Sequence, residues 1–283
     1  MSQFHQKPHV YVGEVVLKVQ DLERSIKFYQ EIIGLQVLSQ DERQAALTAD
    51  GKTTLVTIVQ PEGVKPHAGR SSGLYHYAIL LPSRAALSVF LRHLVETGVH
   101  FGASDHLVSE ALYLNDPDGN GIEVYRDRDP SEWTWKNGKV EMLTDPLDGR
   151  GILEESDAPW NGLPADTVMG HIHLHVGDQA KAEQFYTGLL GMKTVAYYPQ
   201  ASFMSTGDYH HHIAINTWQG AGAPPTPEDS AGLSWYTLVY PDEAARAEAV
   251  KLLEQASAPI KPVAGDYETN DPSGNRIRLV VSA

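Results

Sequence analysis

An internal repeat constrains the fold of this chain more than any other feature of its sequence. Residues 19–29 recur as residues 176–186: in each copy a Val is followed two positions later by an Asp, and a helical pattern then ends in Phe-Tyr. Gly34 and Gly191 stand at matching positions after these patterns. Each copy therefore predicts a strand, an Asp N-cap, a helix of about three turns and a Gly that ends the helix.

A second unit also occurs twice. Residues 73–82 resemble residues 232–241, and a helical pattern follows each of them. Both copies then close with an Asp-Pro-x-Gly-Asn turn and a strand, and this turn has the composition expected of tight hairpins. Because two different units recur in register, the sequence predicts four βαβββ modules, which start near Val10, Gly73, Gly170 and Gly232.

The four modules predict an α+β protein of two domains. We expect modules one and two to form a first domain at residues 9–126, and modules three and four to form a second domain at residues 169–283. Residues 127–168 between them are irregular and rich in Pro, Gly, Asp and Trp. This segment is interpreted as a linker with some packed Trp residues.

Composition limits the function. The chain has 283 residues, 13 His and a net charge of -14, which argues against nucleic acid and anionic membrane surfaces as partners. It has no Cys, so a metal site would use His and carboxylate ligands. No apolar run approaches the roughly 18 residues of a membrane span, and residues 1–8 lack a signal-peptide core, so we expect a cytoplasmic protein.

Histidines alternate with apolar residues in one predicted strand. His171, His173 and His175 share one face of this strand, and Ile172, Leu174 and Val176 share the other. The histidines could simply face water, as one face of an antiparallel sheet often does. Alternatively, they could face a metal. Each i+2 step advances about 6.8 Å, so one metal could bind only one of the three.

The repeated motifs resemble those of the vicinal oxygen chelate superfamily, which includes glyoxalases, bleomycin-resistance proteins and extradiol dioxygenases. The Asp-x-x-x-(Ser/Ala)-x-x-Phe-Tyr helix and the Asp-Pro-(Asp/Ser)-Gly-Asn turn carry this resemblance, which covers almost the whole chain. The resemblance implies that facing modules form open barrels around a metal. It also implies that the ligands come from the first and last strands of the modules.

The modules differ at these implied ligand positions. In chain order, the first strands carry Glu14, His76, His171 and Trp235, and the last strands of modules two and four carry Glu123 and Arg278. Trp cannot bind a metal, and Arg would bring a positive charge to the place of the cation. Module four is therefore interpreted as a ruined half-site, meaning a module without residues that can bind a metal at its two ligand positions.

His76, Glu123 and His171 remain as a complete set of ligands. Two imidazoles and one carboxylate hold a divalent metal and leave neighbouring positions open, as in non-haem Fe(II) oxygenases. This set requires modules two and three to face each other. The alternative pairs modules one and two and uses Glu14, His76 and Glu123, which is a glyoxalase-like set.

Two further segments resemble the active site of extradiol dioxygenases. Residues 105–113 match the Asp-His-x-x-Ser-x-x-x-Tyr pattern, and this resemblance implies that His106 and Tyr113 contact the substrate or the bound oxygen. Residues 209–214 resemble the His-His-x-Ala strand of those enzymes, which implies His211 or His212 as the acid–base residue.

The predicted function is extradiol ring cleavage of catechol or a substituted catechol by O2, with Fe(II) as the cofactor and Mn(II) as an alternative metal. A glyoxalase-type lyase or isomerase that uses Glu14 is the second interpretation, and a non-catalytic small-molecule-binding protein is the third. The resemblance to the superfamily suggests a homodimer. Five further histidines occur in terminal, loop or helix contexts and are predicted to lie at the surface: His5, His9, His67, His93 and His100.

Overall fold

The computed structural model describes residues 2–282, and in this range the four predicted βαβββ modules are all present. Module one consists of β1 (Tyr11–Lys18), α1 (Leu22–Phe28), β2 (Gln36–Gln40), β3 (Gln44–Thr48) and β4 (Thr54–Val59). Module two consists of β5 (Gly73–Leu80), α2 (Arg84–Thr97), β6 (Gly102–Asp105), β7 (Ser109–Asn115) and β8 (Gly121–Asp127).

The segment between the halves contains short elements of its own. It holds a 3-10 turn (Pro130–Glu132), β9 (Trp135–Lys136), β10 (Lys139–Val140) and α3 (Gly149–Leu153). Trp133 of this segment is buried, and Trp160 stacks on His93 of α2 with ring centroids 4.1 Å apart. The segment is thus packed against the modules.

The second half of the chain repeats the first. Module three consists of β11 (Val168–His175), α4 (Gln179–Leu189), β12 (Lys193–Tyr198), β13 (Ala201–Ser205) and β14 (Ile213–Asn216). Module four consists of β15 (Gly232–Tyr240), α5 (Glu243–Gln255), β16 (Ile260–Val263), β17 (Asp266–Asn270) and β18 (Arg276–Val281). None of the helices within residues 2–282 is long and apolar enough to cross a membrane.

Local sequence determines where the repeated helices begin and how the first one ends. Asp21 accepts a hydrogen bond from the backbone of Arg24 at 3.0 Å, and Asp178 accepts one from Lys181 at 3.1 Å, so both act as the predicted N-caps. After α1 the chain makes one wider helical turn and stops at Gly34, whose φ of 87° is strained for any side-chain-bearing residue.

The modules combine into two eight-stranded sheets that each form an open barrel. The order β16-β17-β18-β15-β1-β4-β3-β2 joins module four to module one, and the order β12-β13-β14-β11-β5-β8-β7-β6 joins module three to module two. The antiparallel pairs β1–β15 and β5–β11 make the two joints. The predicted α+β fold of four modules in two open barrels is confirmed.

The boundaries of the predicted domains stay a prediction. Each sheet takes one module from either side of residues 127–168, and Asp127 itself ends β8. Ala283, the last residue of the predicted second domain, lies outside the described residues. The strand order shows that modules two and three face each other. The predicted ligand set required this arrangement: His76, Glu123 and His171.

The repeated Tyr and Asp motif residues form a buried network that ties the two sheets together. The hydroxyl of Tyr29, at the end of α1, donates to Oδ2 of Asp116 at 3.1 Å, and the hydroxyl of Tyr77 donates to Tyr29 at 3.1 Å. Asn120 donates to the same carboxylate oxygen at 2.8 Å. Module one is thereby bonded to the turn of module two, which belongs to the other sheet.

The second half contains the same network. Tyr186 donates to Oδ2 of Asp271 at 3.0 Å and lies 3.1 Å from the hydroxyl of Tyr236, and Asn275 donates to Asp271 at 2.8 Å. These side chains are buried, so each lost donor would leave a carboxylate oxygen short of a partner in a dry environment. The Phe-Tyr and Asp-Pro-x-Gly-Asn motifs therefore have a structural role.

We expect Tyr29→Phe and Tyr186→Phe each to lower the free energy of unfolding by about 1–3 kcal/mol, because each removes one donor from a buried carboxylate. Denaturant unfolding of the purified variants measures this loss. Tyr198→Phe removes an exposed hydroxyl and serves as the control. Equal stability of all three variants would show that the network contributes nothing.

Candidate metal centre

The register of three neighbouring strands brings the predicted ligands to one place. Glu123 on β8 lies opposite Ala78 on β5, and His171 on β11 lies opposite the same Ala78 from the other side. His76 precedes Ala78 by two residues, so all of these side chains leave one face of the sheet. The methyl group of Ala78 is too small to fill the space between the three longer side chains.

The three ligand atoms converge closely. Nε2 of His76 lies 3.0 Å from Oε2 of Glu123, and Nε2 of His171 lies 3.1 Å from the same oxygen. The atoms of all three residues lie within 4.8 Å of one another, and all three residues are buried. Ligands at about 2.1 Å from an ion on one face of an octahedron are themselves about 3.0 Å apart, so the spacing suits a divalent metal.

One of the two imidazoles also lacks a hydrogen-bond partner for the nitrogen that faces the site. Nε2 of His76 is buried and has no partner with hydrogen-bond geometry among residues 2–282. Burial lowers the pKa of His171 to about 4, which keeps the imidazole neutral, as metal binding requires. Burial opposes ionisation of Glu123, but the adjacent His171 and His76 hold the pKa of its carboxyl well below its usual range. A buried carboxylate between two imidazoles fits a cation site.

Asn216 accounts for the other two histidines of β11. Its Nδ2 lies 2.8 Å from Nε2 of His173, and its Oδ1 lies 2.7 Å from Nδ1 of His175. The backbone N–H of Trp218 donates to the same Oδ1, which fixes the orientation of the amide. His173 therefore accepts through Nε2 and is neutral, and both histidines are buried supports of the site rather than a polar face towards water.

A cavity of about 230 Å³ is lined by two of the three candidate ligand residues, His76 and Glu123. Its mouth is aromatic: Tyr75, Tyr197, Tyr198 and Trp218 are exposed there, and Tyr75 meets Trp218 edge-on with ring centroids 5.2 Å apart. Exposed aromatic side chains gathered at one opening are typical of a binding site for an apolar ligand. The residues that line the deeper part are His76, Ser104, His106, Ser109, Tyr113, Glu123, Met142, Leu143, Thr144, His173, Ala196, Phe203 and His211.

His106 and Tyr113, predicted to contact the substrate, are bonded to each other in this cavity. Nδ1 of His106 donates to the carbonyl of Leu143 at 2.6 Å, so its Nε2 accepts from the hydroxyl of Tyr113, also at 2.6 Å. Burial and the charge of Glu123 raise the pKa of Tyr113 well above its usual value, so the hydroxyl stays protonated. The cavity wall thus presents a protonated phenol, with its oxygen free to accept, near the candidate metal site.

The three consecutive histidines before β14 point in different directions. His211 lines the cavity and packs on His171, with ring centroids 4.0 Å apart. Burial lowers the pKa of His211 well below its usual value, so its imidazole is neutral. His212 turns away from the cavity, and its Nε2 bonds to the carbonyl of Phe4 at 3.0 Å. Of the two residues predicted for acid–base chemistry, the structure brings His211 to the metal site.

Two histidines predicted to lie at the surface are buried, so that prediction was wrong for them. Nε2 of His5 bonds to the carbonyl of Gly170, next to His171, at 2.7 Å, and burial lowers the pKa of His5 to about 4. His93 bonds to the carbonyl of Glu31 at 2.9 Å. The N-terminal segment carries no periodic pattern, and its contact with Gly170 spans 165 residues, so nothing local in the sequence indicated it.

Glu14, the carboxylate of the glyoxalase-like alternative, lies in the other sheet. Its Oε1 accepts a hydrogen bond from Thr57 at 2.6 Å. In the same sheet, the guanidinium of Arg278 stacks on the ring of Trp235 at 3.8 Å, as expected of a ruined half-site. His76 and Glu123 therefore have His171, and not Glu14, as their third partner.

Residues 142–144 also belong to the cavity, although no sequence pattern indicated it. Met142, Leu143 and Thr144 come from the segment interpreted as a linker and reach the wall because Asp145 pairs with Asp105 of β6. No metal-site or substrate motif marks these residues. Their role depends on a contact across 40 positions of the chain, which a linear pattern does not encode.

Comparison with known proteins agrees with this architecture. The family model of the Glyoxalase/Bleomycin resistance protein/Dioxygenase superfamily matches residues 11–124 and again residues 168–279. A catechol-2,3-dioxygenase of Bacillus subtilis (strain 168) is 44% identical over 287 residues, which cover 99% of this chain and 100% of the relative. Biphenyl-2,3-diol 1,2-dioxygenase 3 of Rhodococcus globerulus is 26% identical over 141 residues, which cover 48% of this chain and 74% of the relative.

Among solved structures, glyoxalase I of Zea mays superimposes with a TM-score of 0.60 at 17% identity and covers 96% of this chain and 92% of its own. At that identity the likeness concerns the fold. Two matches of the family model, one in each half, together with a relative aligned over its full length, place the whole chain in one family. The chain belongs to the Glyoxalase/Bleomycin resistance protein/Dioxygenase superfamily.

Proposed function

We propose that this protein is an extradiol dioxygenase that uses Fe(II) and O2 to open the ring of catechol or a small neutral catechol. The observation that carries this proposal is the buried set His76, Glu123 and His171 at one cavity with His211 and Tyr113. The 44% identity to a catechol-2,3-dioxygenase over the full chain supports the enzyme class. The expected product is a muconic semialdehyde that contains both atoms of O2.

His76, Glu123 and His171 would hold the metal through Nε2, Oε2 and Nε2. Bound Fe(II) would supply Lewis acidity towards the catechol hydroxyls and open positions where catechol and O2 meet. Two neutral imidazoles and one carboxylate leave one positive charge uncompensated, which favours an anionic catecholate in the cavity. With only three protein ligands, a bound ion would keep further positions open for the two reactants.

His211 would act as the general base and acid. Its neutral imidazole accepts a proton from a catechol hydroxyl and later returns it to an oxygen of the opening ring. The oxygen of the Tyr113 hydroxyl accepts a hydrogen bond from a substrate hydroxyl while its proton is donated to His106, which Leu143 holds in place. The aromatic mouth packs on the faces of the ring and excludes water.

The composition of the cavity wall favours neutral substrates. None of the residues that line it within residues 2–282 is Lys or Arg, so a carboxylate on the substrate would lose hydration without gaining a cationic partner. The substrate expected on this basis is catechol itself or an alkyl-substituted catechol.

Anaerobic loading with Fe(II), addition of catechol and then exposure to O2 should give the yellow ring-cleavage product in stoichiometric amount. Absence of this product across simple catechols would contradict the proposed function. Removal of iron with a chelator should abolish turnover, and anaerobic Fe(II) should restore it. Recovery with Mn(II) but not with Fe(II) would assign the other metal.

Glu123→Gln should lower Fe(II) affinity by at least about 10-fold and reduce turnover in parallel, because it removes the only anionic ligand. Glu14→Gln is the matched control, since Glu14 lies in the other sheet, and it should leave catechol cleavage unchanged. Iron titration monitored by calorimetry and product formation measure the two effects. Loss of activity in Glu14→Gln would instead support the glyoxalase-like ligand set.

The kcat/KM for 3,4-dihydroxybenzoate should be at least about 10-fold lower than that for 4-methylcatechol, because its ring carries a charged carboxylate where the other has an apolar methyl group. Steady-state assays of ring cleavage under saturating O2 give both values. Comparable values would show that a cation reaches the substituent during turnover.

A further inference from the structure

Asp127 and His210 form a hydrogen-bonded chain that ends at the proposed base. Asp127 follows Glu123 by four residues on β8, so it leaves the same face of that strand. Nε2 of His210 lies 2.7 Å from Oδ1 of Asp127, and Nδ1 of His210 lies 2.8 Å from Nδ1 of His211. One strand thus carries both a proposed metal ligand and the start of a chain of contacts to His211.

The order of donors in this chain fixes the proton of His211. A carboxylate can only accept, so Nε2 of His210 donates to Asp127. When His210 carries this single ring proton, its Nδ1 has a lone pair, and the short contact between the two Nδ1 atoms then places a proton on Nδ1 of His211. The proton of His211 is therefore on Nδ1, and its Nε2 carries the lone pair that a general base needs.

The surroundings hold His210 in this geometry. Its ring is completely buried, packs on Tyr209 with centroids 4.1 Å apart, and meets Trp133 edge-on at 5.2 Å. The hydroxyl of Tyr209 also donates to Oδ1 of Asp127 at 3.4 Å and lies 2.6 Å from the hydroxyl of Tyr125. The acceptor and the imidazole are both immobilised, so the chain is built into the fold and does not depend on a mobile side chain.

We propose that Asp127 and His210 are positioning residues that hold His211 in the tautomer with Nε2 free to accept a catechol proton, an inference that rests on the proposed dioxygenase function. Asp–His pairs of serine hydrolases work in the same way, since a carboxylate there fixes the tautomer of the catalytic imidazole. Here a second imidazole stands between the carboxylate and the base. Without His210, the ring of His211 can rotate or carry its proton on Nε2. Molecules in which it does so lack a base.

His210→Leu should lower kcat for catechol by about 10- to 100-fold and leave KM and iron content near the wild-type values, because His210 does not line the cavity. His210→Gln can donate to Asp127 and accept from His211, and should recover a large part of that loss. Asp127→Ala breaks the chain at its other end and should resemble His210→Leu. His93→Leu removes a buried, hydrogen-bonded histidine elsewhere and controls for lost stability.

Nitrogen NMR of histidine-labelled, metal-free protein tests the same inference without turnover. We expect the Nε2 signal of His211, assigned by its disappearance in His211→Gln, to be that of an unprotonated nitrogen in wild type and to shift towards a protonated one in His210→Leu. An unchanged signal, or an equal fall in kcat for His210→Leu and His93→Leu, would overturn the positioning role. Inactivity of wild-type protein would instead overturn the proposed function, and the NMR result would still decide the tautomer.

Discussion

The antiparallel pairing of β5 with β11 is the contact on which the candidate site depends. These strands come from different halves of the chain, and their register sets His171 opposite Ala78. A shift of one residue would turn His76 or His171 to the other face of the sheet. Nothing in the metal ligands themselves enforces this register. It follows from the apolar residues that alternate with them on the opposite face, such as Ile79, Ile172 and Leu174, which are all buried.

With this register, the many histidines near the site can be distinguished by their hydrogen-bond partners. Each buried imidazole near the site has its own acceptor or donor, and these partners differ in kind. His173 and His175 share an amide, His212 and His5 use backbone carbonyls, and His210 uses a carboxylate. This division leaves Nε2 of His76 and of His171 directed at Glu123, so a shared carboxylate distinguishes the two candidate ligands from the other histidines.

Much of the fold was accessible from the sequence because the modules repeat. The four modules and their caps follow from local patterns compared across the repeats, and the facing of modules two and three follows from the ligand positions that the family resemblance implies. The ruined half-site was also predictable, because Trp235 and Arg278 are the wrong residue types at recognisable positions. Such inferences succeed where local pattern and global fold agree.

Other features of the site could not be predicted from the sequence, because they depend on contacts between distant segments that carry no periodic pattern. His5 reaches Gly170 from an irregular N-terminal segment, and Leu143 reaches His106 from a segment that resembles a linker. His210 carried no separate signal either, since three consecutive histidines look equivalent in sequence. Only the direction of each ring, which the turn before β14 sets, separates His211 from its neighbours.

The division of the proposed ligand set between the two halves has a consequence for how the protein would acquire a metal. A chain synthesised only as far as β8 presents His76 and Glu123 without a third ligand, and two such residues bind divalent ions weakly and with little discrimination. The full set exists only after β11 has joined β5. If these residues bind a metal, its choice would be postponed until the barrel has closed, when the geometry of a finished cavity, and not the affinity of a nascent segment, would select the ion.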